Sequence, residues 1–266
     1  MSADDTHPTP YPDVNAALRA FLSGARTVLG DQFVGMVVHG SLASGDFDPQ
    51  RSDIDVVVIT AGELPDETLP GLAAMHRRVA ANGLEWATRA EVSYVPQTAL
   101  RRYDPAHADH PALRADGSFA VSPHGSDWII QRHIIREQGI VLAGPDLRAL
   151  IDPVQPDDVQ RAVTGVLREW WSSKLDDPSW VRSAEYQAFA VLTMCRALHT
   201  LQHGSVVSKP AAARWAQDAL GDQWAALIEH ALTWQRGAPF DHLSETLDLI
   251  RLTLARSQPY ENPAEP

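Results

Sequence analysis

Two aspartates, Asp53 and Asp55, stand at the mouth of an apolar run in the segment VVHGSLASGDFDPQRSDIDVVVIT, Val37 to Thr60. Carboxylates held side by side repel each other, so their pairing implies a cation that offsets the cost. In a strand, positions two apart share a face. Asp53 and Asp55 then lie together while Ile54 and Val56 face a core. Two such carboxylates with space above them suit a hard cation with oxygen ligands, typically Mg²⁺. Gly40-Ser41 ends the preceding apolar run just before a short helical turn. Glycine permits close backbone approach, and helix N-terminal amides with a hydroxyl make good partners for a phosphate. A third carboxylate, Glu91, lies in TRAEVSYV and reaches the same place if that strand pairs beside DIDVVVIT. A D-x-D alone is more often a solvated turn. The whole string, from G-S through a Gly-containing loop and S-D-x-D to a later strand carboxylate, points to metal and phosphate together.

The flanking patterns supply elements to carry these residues. DVNAALRAFLSGARTVLG places Val14, Leu18, Phe21, Leu22, Ala25, Val28 and Leu29 on one helical face, with Gly30 as the stop. FVGMVVH and IDVVVIT read as buried strands and LEWATRAEVSYVP as a third. DETLPGLAAMHRRVAANG reads as a helix whose start is restricted by Pro70. Residues 96–126, rich in Pro, Asp, His and Gly, read as a long loop with little regular structure. DWIIQRHIIREQG resumes helical spacing, and IVLAGP is a short apolar segment. Beyond it every periodic stretch is helical: QPDDVQRAVTGVLREWWSSKL, SAEYQAFAVLTMCRALHTLQHG, SKPAAARWAQDAL with Ser208 as N-cap, DQWAALIEHALTWQRG and DHLSETLDLIRLTLARS. An α/β half is thus followed by an all-α half, with the change near residues 143–156.

Composition narrows the partners. The 266 residues carry a formal net charge of −12, which disfavours nucleic acid and favours a cationic small molecule. The single cysteine, Cys195, excludes an internal disulfide and fits a cytoplasmic setting. No apolar run approaches the ~20 residues that span a bilayer, and the acidic, Pro-rich start does not read as a signal peptide. His107, His110, His124 and His133 match no standard zinc spacing and read as part of a solvated acidic loop. Trp170, in helical register with Val163 and Leu167, reads as core.

HGSLASGDFDPQRSDIDVVVI resembles the signature of the nucleotidyltransferase (DNA polymerase β-like) superfamily. VLAGPDLRALIDPV and LTMCRALHTLQHGSVVSKPAAARWA are similar to segments of the aminoglycoside (3'')(9) adenylyltransferases, which inactivate streptomycin and spectinomycin. The resemblance runs from about residue 15 to 255. It implies an α+β protein: a nucleotidyltransferase domain with a small mixed sheet over residues 1–150, then an all-α bundle over 151–266.

It also implies roles. Gly40 and Ser41 meet the phosphates of ATP, Asp53, Asp55 and Glu91 are the metal residues for Mg²⁺, and Glu91 also falls where the family has its general base. Arg196 and Lys209 fall on basic positions that reach ATP from the helical domain. Read without the resemblance, they are an interdomain ion pair and a solvated helix start. The family grips its drug with an acid on the long helix, where this chain has Tyr186, with Glu185 beside it. The implied activity is transfer of AMP from ATP to a hydroxyl of a small cationic acceptor by a monomeric cytoplasmic enzyme with no nucleic-acid or membrane partner. The other reading is a nucleotidyltransferase with a non-antibiotic acceptor, a protein or another small molecule, in a regulatory or antitoxin-like role.

Overall fold

The computed structural model describes residues 8–260. These divide into two compact units. One comprises the described residues up to His124 together with Ile134–Pro153, and the other comprises Gly125–His133 and the described residues from Val154 on.

The first unit begins with helix α1 (Pro12–Leu29), which buries Val14, Leu18, Phe21, Ala25 and Leu29 and ends at Gly30. Strand β1 (Phe33–His39) leads into a one-turn helix α2 (Gly40–Ser44), and a loop returns the chain to strand β2 (Ile54–Thr60). Helix α3 (Leu69–Ala81) carries Pro70 in its first turn, where a missing N–H costs nothing. A 3₁₀ turn over Glu85–Thr88 precedes strand β3 (Ala90–Pro96), so the third strand starts later than its apolar run does. The remaining pieces are α4 (Gln97–Arg101), β4 (Asp109–Leu113), β5 (Phe119–Pro123), the end of α5 (Asp127–Gln138), whose residues up to His133 belong to the second unit, β6 (Ile140–Ala143) and α6 (Leu147–Leu150).

Six strands form one mixed sheet in the order β5-β4-β3-β2-β1-β6, with β2 and β3 parallel and the other pairs antiparallel. One face carries Met36, Val38, Ile54, Val56 and Val58 and packs with Leu18 and Phe21 of α1 and Leu72 and Met75 of α3. The opposite face buries Val37, Val57 and Ile59.

The segment 96–126 is more ordered than its composition implies. Its centre is a hairpin in which Asp109 pairs with Pro123 and Leu113 with Phe119. The turn is Arg114–Ser118, closed by the Arg114 N–H donating to the Ser118 carbonyl at 2.9 Å and by Gly117 in the left-handed region (φ 80°). Pro111 hides the strand. It sits just beyond the pairing of β4 with β3, recorded at Ala112 and Leu113, so its missing N–H breaks no bond on that side. The histidines are redistributed accordingly. His110 and His124 are buried with rings 4.8 Å apart, and only His107 matches the solvated reading among these three. Among the described residues no three His, Cys, Asp or Glu side chains form a ready metal site.

The second unit is helical. Helix α7 (Pro156–Val166) continues through a wide turn at Leu167–Trp171 into α8 (Ser173–Asp176). That turn corrects the expected register, because Trp171 is buried and Trp170 is 38% exposed. Helix α9 (Ala184–His203) is central, packed against α7, α10 (Lys209–Leu220), α11 (Asp222–Thr233) and α12 (Leu243–Ser257). Its face of Val191, Met194, Cys195 and Leu198 is fully enclosed, and burial pushes the Cys195 thiol up to about 12. No helix among the described residues is long and apolar enough to cross a membrane.

Candidate active site

β2 runs between β1 and β3, and its first residues decide the site. Asp55 lies opposite His39 on β1 and opposite Glu91 on β3. Residues paired across a sheet share a face, and neighbouring strands are ~4.8 Å apart, so Asp55 and Glu91 are lateral neighbours. Asp53 precedes the strand by one residue. Ile54 and Val56 point into the α1–α3 core, 0% and 1% exposed.

Gly40 completes the arrangement from β1. Its φ is 64°, and a Cβ there would stand 2.0 Å from Asp55 Oδ2 and 2.8 Å from its Cγ. Only a residue without a side chain lets this turn lie on the carboxylate. Ser41 follows in α2, where its carbonyl accepts from the Asp46 N–H at 3.0 Å. His39, just before the glycine, is buried. Burial lowers its imidazole to about 4, and its Nδ1 has no hydrogen-bond partner among the described residues.

Electrostatics mark the same three acids. Glu91 keeps much of its residue surface in solvent, yet its carboxyl is pushed up to about 7. Partial loss of water is the largest cause, then the charges of Asp55 and Asp53. Arg89 stands beside Asp53, its Nε 3.8 Å from Asp53 Oδ1. Carboxylates crowded enough to raise a third are relieved by a cation. The donor set is all oxygen and fits Mg²⁺. Mg²⁺ commonly takes one or two carboxylates and completes its shell with substrate phosphates and water, so a partial protein shell matches it better than a closed cage.

The second unit holds the other expected residues. Arg196 is half-buried on α9, and Lys209 opens α10 behind its Ser208 cap. Lys209 Nζ lies 4.0 Å from the centroid of Phe189, which is seven residues before Arg196 and so on the same stripe of α9. Glu185 pairs with Arg236 at 3.1 Å. Tyr186 stacks on Trp180, centroids 3.9 Å apart and 27° between planes. Trp180 also meets Trp170 at 4.8 Å, and Lys174 Nζ sits 4.5 Å from the Trp170 ring. Sequence reasoning missed Arg89, His39 and Trp180. Only the unusual density of tryptophan around Trp170 signalled the last of these.

Comparison with known proteins gives the site its context. Residues 24–109 match the nucleotidyltransferase domain model and residues 149–256 the C-terminal domain model of aminoglycoside adenylyltransferase. A spectinomycin 9-adenylyltransferase of Staphylococcus aureus is 25% identical over 224 residues, covering 80% of this chain and 81% of the relative. An aminoglycoside (3'')(9) adenylyltransferase of Escherichia coli is 27% identical over 226 residues, with the same shares covered. The crystal structure of a spectinomycin adenyltransferase from Enterococcus faecialis, with ATP and spectinomycin, has the same fold. Its TM-score is 0.72 at 18% identity, over 91% of this chain and 98% of that one. Two domain models in series and relatives along four-fifths of the chain identify an aminoglycoside (3'')(9) adenylyltransferase-like enzyme of the nucleotidyltransferase superfamily.

Proposed function

We propose that this enzyme moves AMP from ATP to a hydroxyl of a small cationic acceptor of the aminoglycoside or aminocyclitol type. The observation that carries the reading is the row His39–Asp55–Glu91 across three strands, with Gly40 laid on Asp55. Asp53 and Asp55 are the residues that would hold Mg²⁺. Bound there, it neutralises the triphosphate and polarises the phosphorus under attack. Gly40 and Ser41 cradle the phosphates with backbone N–H groups and a hydroxyl. By the family resemblance, Arg196 and Lys209 would supply positive charge to the triphosphate, which favours departure of pyrophosphate.

Glu91 takes the proton. The acceptor oxygen forms a bond to the α-phosphorus, the bond from that phosphorus to the bridging oxygen breaks, and the hydroxyl proton passes to a Glu91 carboxylate oxygen. Loss of water and the charges of Asp55 and Asp53 raise the basicity of Glu91, which suits it to accept a proton. ATP as co-substrate and a lone cysteine fit a cytoplasmic enzyme.

The second reading keeps the donor chemistry and changes the acceptor. It is favoured by Glu185 being engaged by Arg236 and Tyr186 lying flat on Trp180, at the positions expected to grip a drug cation. One assay separates the two. Purified enzyme, ATP and Mg²⁺ are incubated with streptomycin, spectinomycin and a panel of aminoglycosides, and pyrophosphate and product mass are measured. The first reading expects a product heavier by one adenylyl group. ATP binding without turnover or binding of any panel member sinks it in favour of the second.

A further inference from the structure

Arg89 ends the turn that precedes β3 and has no part in the chemistry above. Its main-chain carbonyl accepts from the Ile54 N–H at 2.9 Å, the residue after Asp53. Its guanidinium donates from Nη2 to the Ser52 carbonyl at 2.6 Å, the residue before Asp53, and from Nη1 to the Pro49 carbonyl at 2.8 Å. Asp53 is therefore gripped on both sides by one residue. The guanidinium is itself fixed by the Trp86 ring, whose centroid is 4.4 Å from Cζ. With both terminal nitrogens engaged, Nε is left buried without a hydrogen-bond partner among the described residues, 3.8 Å from Asp53 Oδ1.

The loop being gripped is a knot of its own. The Ser52 N–H donates to the Asp48 carbonyl at 2.8 Å, the Asp48 N–H returns to Ser52 Oγ at 3.0 Å, and Arg51 Nε meets Asp48 Oδ2 at 2.7 Å. The knot keeps its own shape and Arg89 fixes where it stands. Without that side chain the loop loses both of these carbonyl ties to the start of β3, and the Ile54–Arg89 main-chain bond is left.

We propose that Arg89 is a positioning residue for Asp53: it fastens the Asp48–Ser52 loop to the start of β3 and aims the Asp53 carboxylate at the cation site. The inference rests on the reading of Asp53 as a metal ligand. Two opposed effects are possible in principle, and their signs differ. A bare positive charge near Asp53 repels a divalent cation, so its removal would tighten metal binding. A positioning group pre-orders the ligand, so its removal weakens binding, about ten- to a hundredfold for groups that orient a metal ligand.

The test uses the full-length enzyme, Mn²⁺ as a paramagnetic probe, and an ATP analogue with a methylene in place of the α–β bridging oxygen. Free Mn²⁺ is followed by electron paramagnetic resonance for wild type, Arg89→Gln, Arg89→Lys and Asp53→Asn. Arg89→Gln is expected to bind Mn²⁺ about ten- to a hundredfold more weakly. With ATP itself, its turnover should recover as Mg²⁺ is raised and not as ATP is raised, a split that a smaller folded fraction does not produce. Arg89→Lys keeps the charge but cannot span both carbonyls. It should also bind weakly, and it carries the comparison if the glutamine variant fails to fold. Unchanged or tighter Mn²⁺ binding in the Arg89 variants, alongside a weakened Asp53→Asn, overturns the positioning role alone. Unchanged binding in Asp53→Asn removes Asp53 from the metal shell and overturns both.

Discussion

Gly40→Ala adds one methyl group where the backbone lies on the Asp55 carboxylate. The new Cβ would stand 2.0 Å from Asp55 Oδ2. An ordinary contact is about 3.5 Å, so the carboxylate must retreat by roughly 1.5 Å or the turn must open. The φ of 64° adds about 1–2 kcal/mol for a residue with a side chain. Stability should therefore fall modestly, roughly 2–4 °C in melting temperature per kcal/mol. Activity should fall much further. A misplacement of about 1 Å in a reacting constellation costs on the order of a hundredfold in rate. The assay is pyrophosphate release at saturating ATP and Mg²⁺, with circular dichroism to confirm the fold. Turnover within about threefold of wild type, less than 1 kcal/mol in barrier height, would refute the claim that Gly40 sets the Asp55 carboxylate. Equal losses of turnover and folded fraction would refute it as well.

Asp53→Asn should keep the fold and lose nearly all Mg²⁺-dependent turnover. Near-normal turnover at saturating Mg²⁺ rules out the ligand assignment. Glu91→Gln should retain ATP binding and lose about 10²–10⁴-fold in rate. In wild type, kcat/KM should decline as pH falls through about 7, because protonated Glu91 cannot accept a proton, and the glutamine variant should lack that limb. Loss of ATP binding along with turnover would instead make Glu91 mainly a metal ligand. Burial lowers His39 and His76 to about 4 and His124 to about 3, the last aided by the neighbouring His110. The unfolded chain takes up these protons near pH 6.5 and the folded chain only near 4 or below. Stability is then fully present above pH 6.5 and is lost as pH falls towards 4. Melting temperature against pH should show this decline, and His76→Gln should flatten it; an unchanged slope counts against the histidines as its source.

The sequence was most informative where side-chain type and strand period coincide. Asp53, Asp55 and the apolar residues after them announce a half-buried strand with an acidic mouth. Glu91 was legible as a third carboxylate, but its place opposite Asp55 depended on the pairing of β2 with β3, which the residues themselves do not encode. The hairpin Asp109–Pro123 was masked by Pro111 and by histidines that turn inward. Arg89 was invisible for a different reason. Its partners are the carbonyls of Pro49 and Ser52, and a main-chain carbonyl has no signature in sequence. Trp170 faces outward instead of into the core because the wide turn at Leu167–Trp171 breaks the 3.6-residue period used to assign it.

The parallel register of β2 and β3 also sets where this protein tolerates changes in length. Asp55 meets Glu91, and one step either way would bring Ala90 or Val92 to that place, with the acid turned towards the α1–α3 core. Between the two strands the chain crosses over through α3, and residues added to its exposed loops can be absorbed before Leu84. From there to Ala90 it is held by buried Trp86 and by the Ile54–Arg89 main-chain bond, with no slack to take up an extra residue. A single insertion in that stretch leaves the composition of the acidic triad intact and dismantles it in space. These few residues act as a ruler for the chemistry.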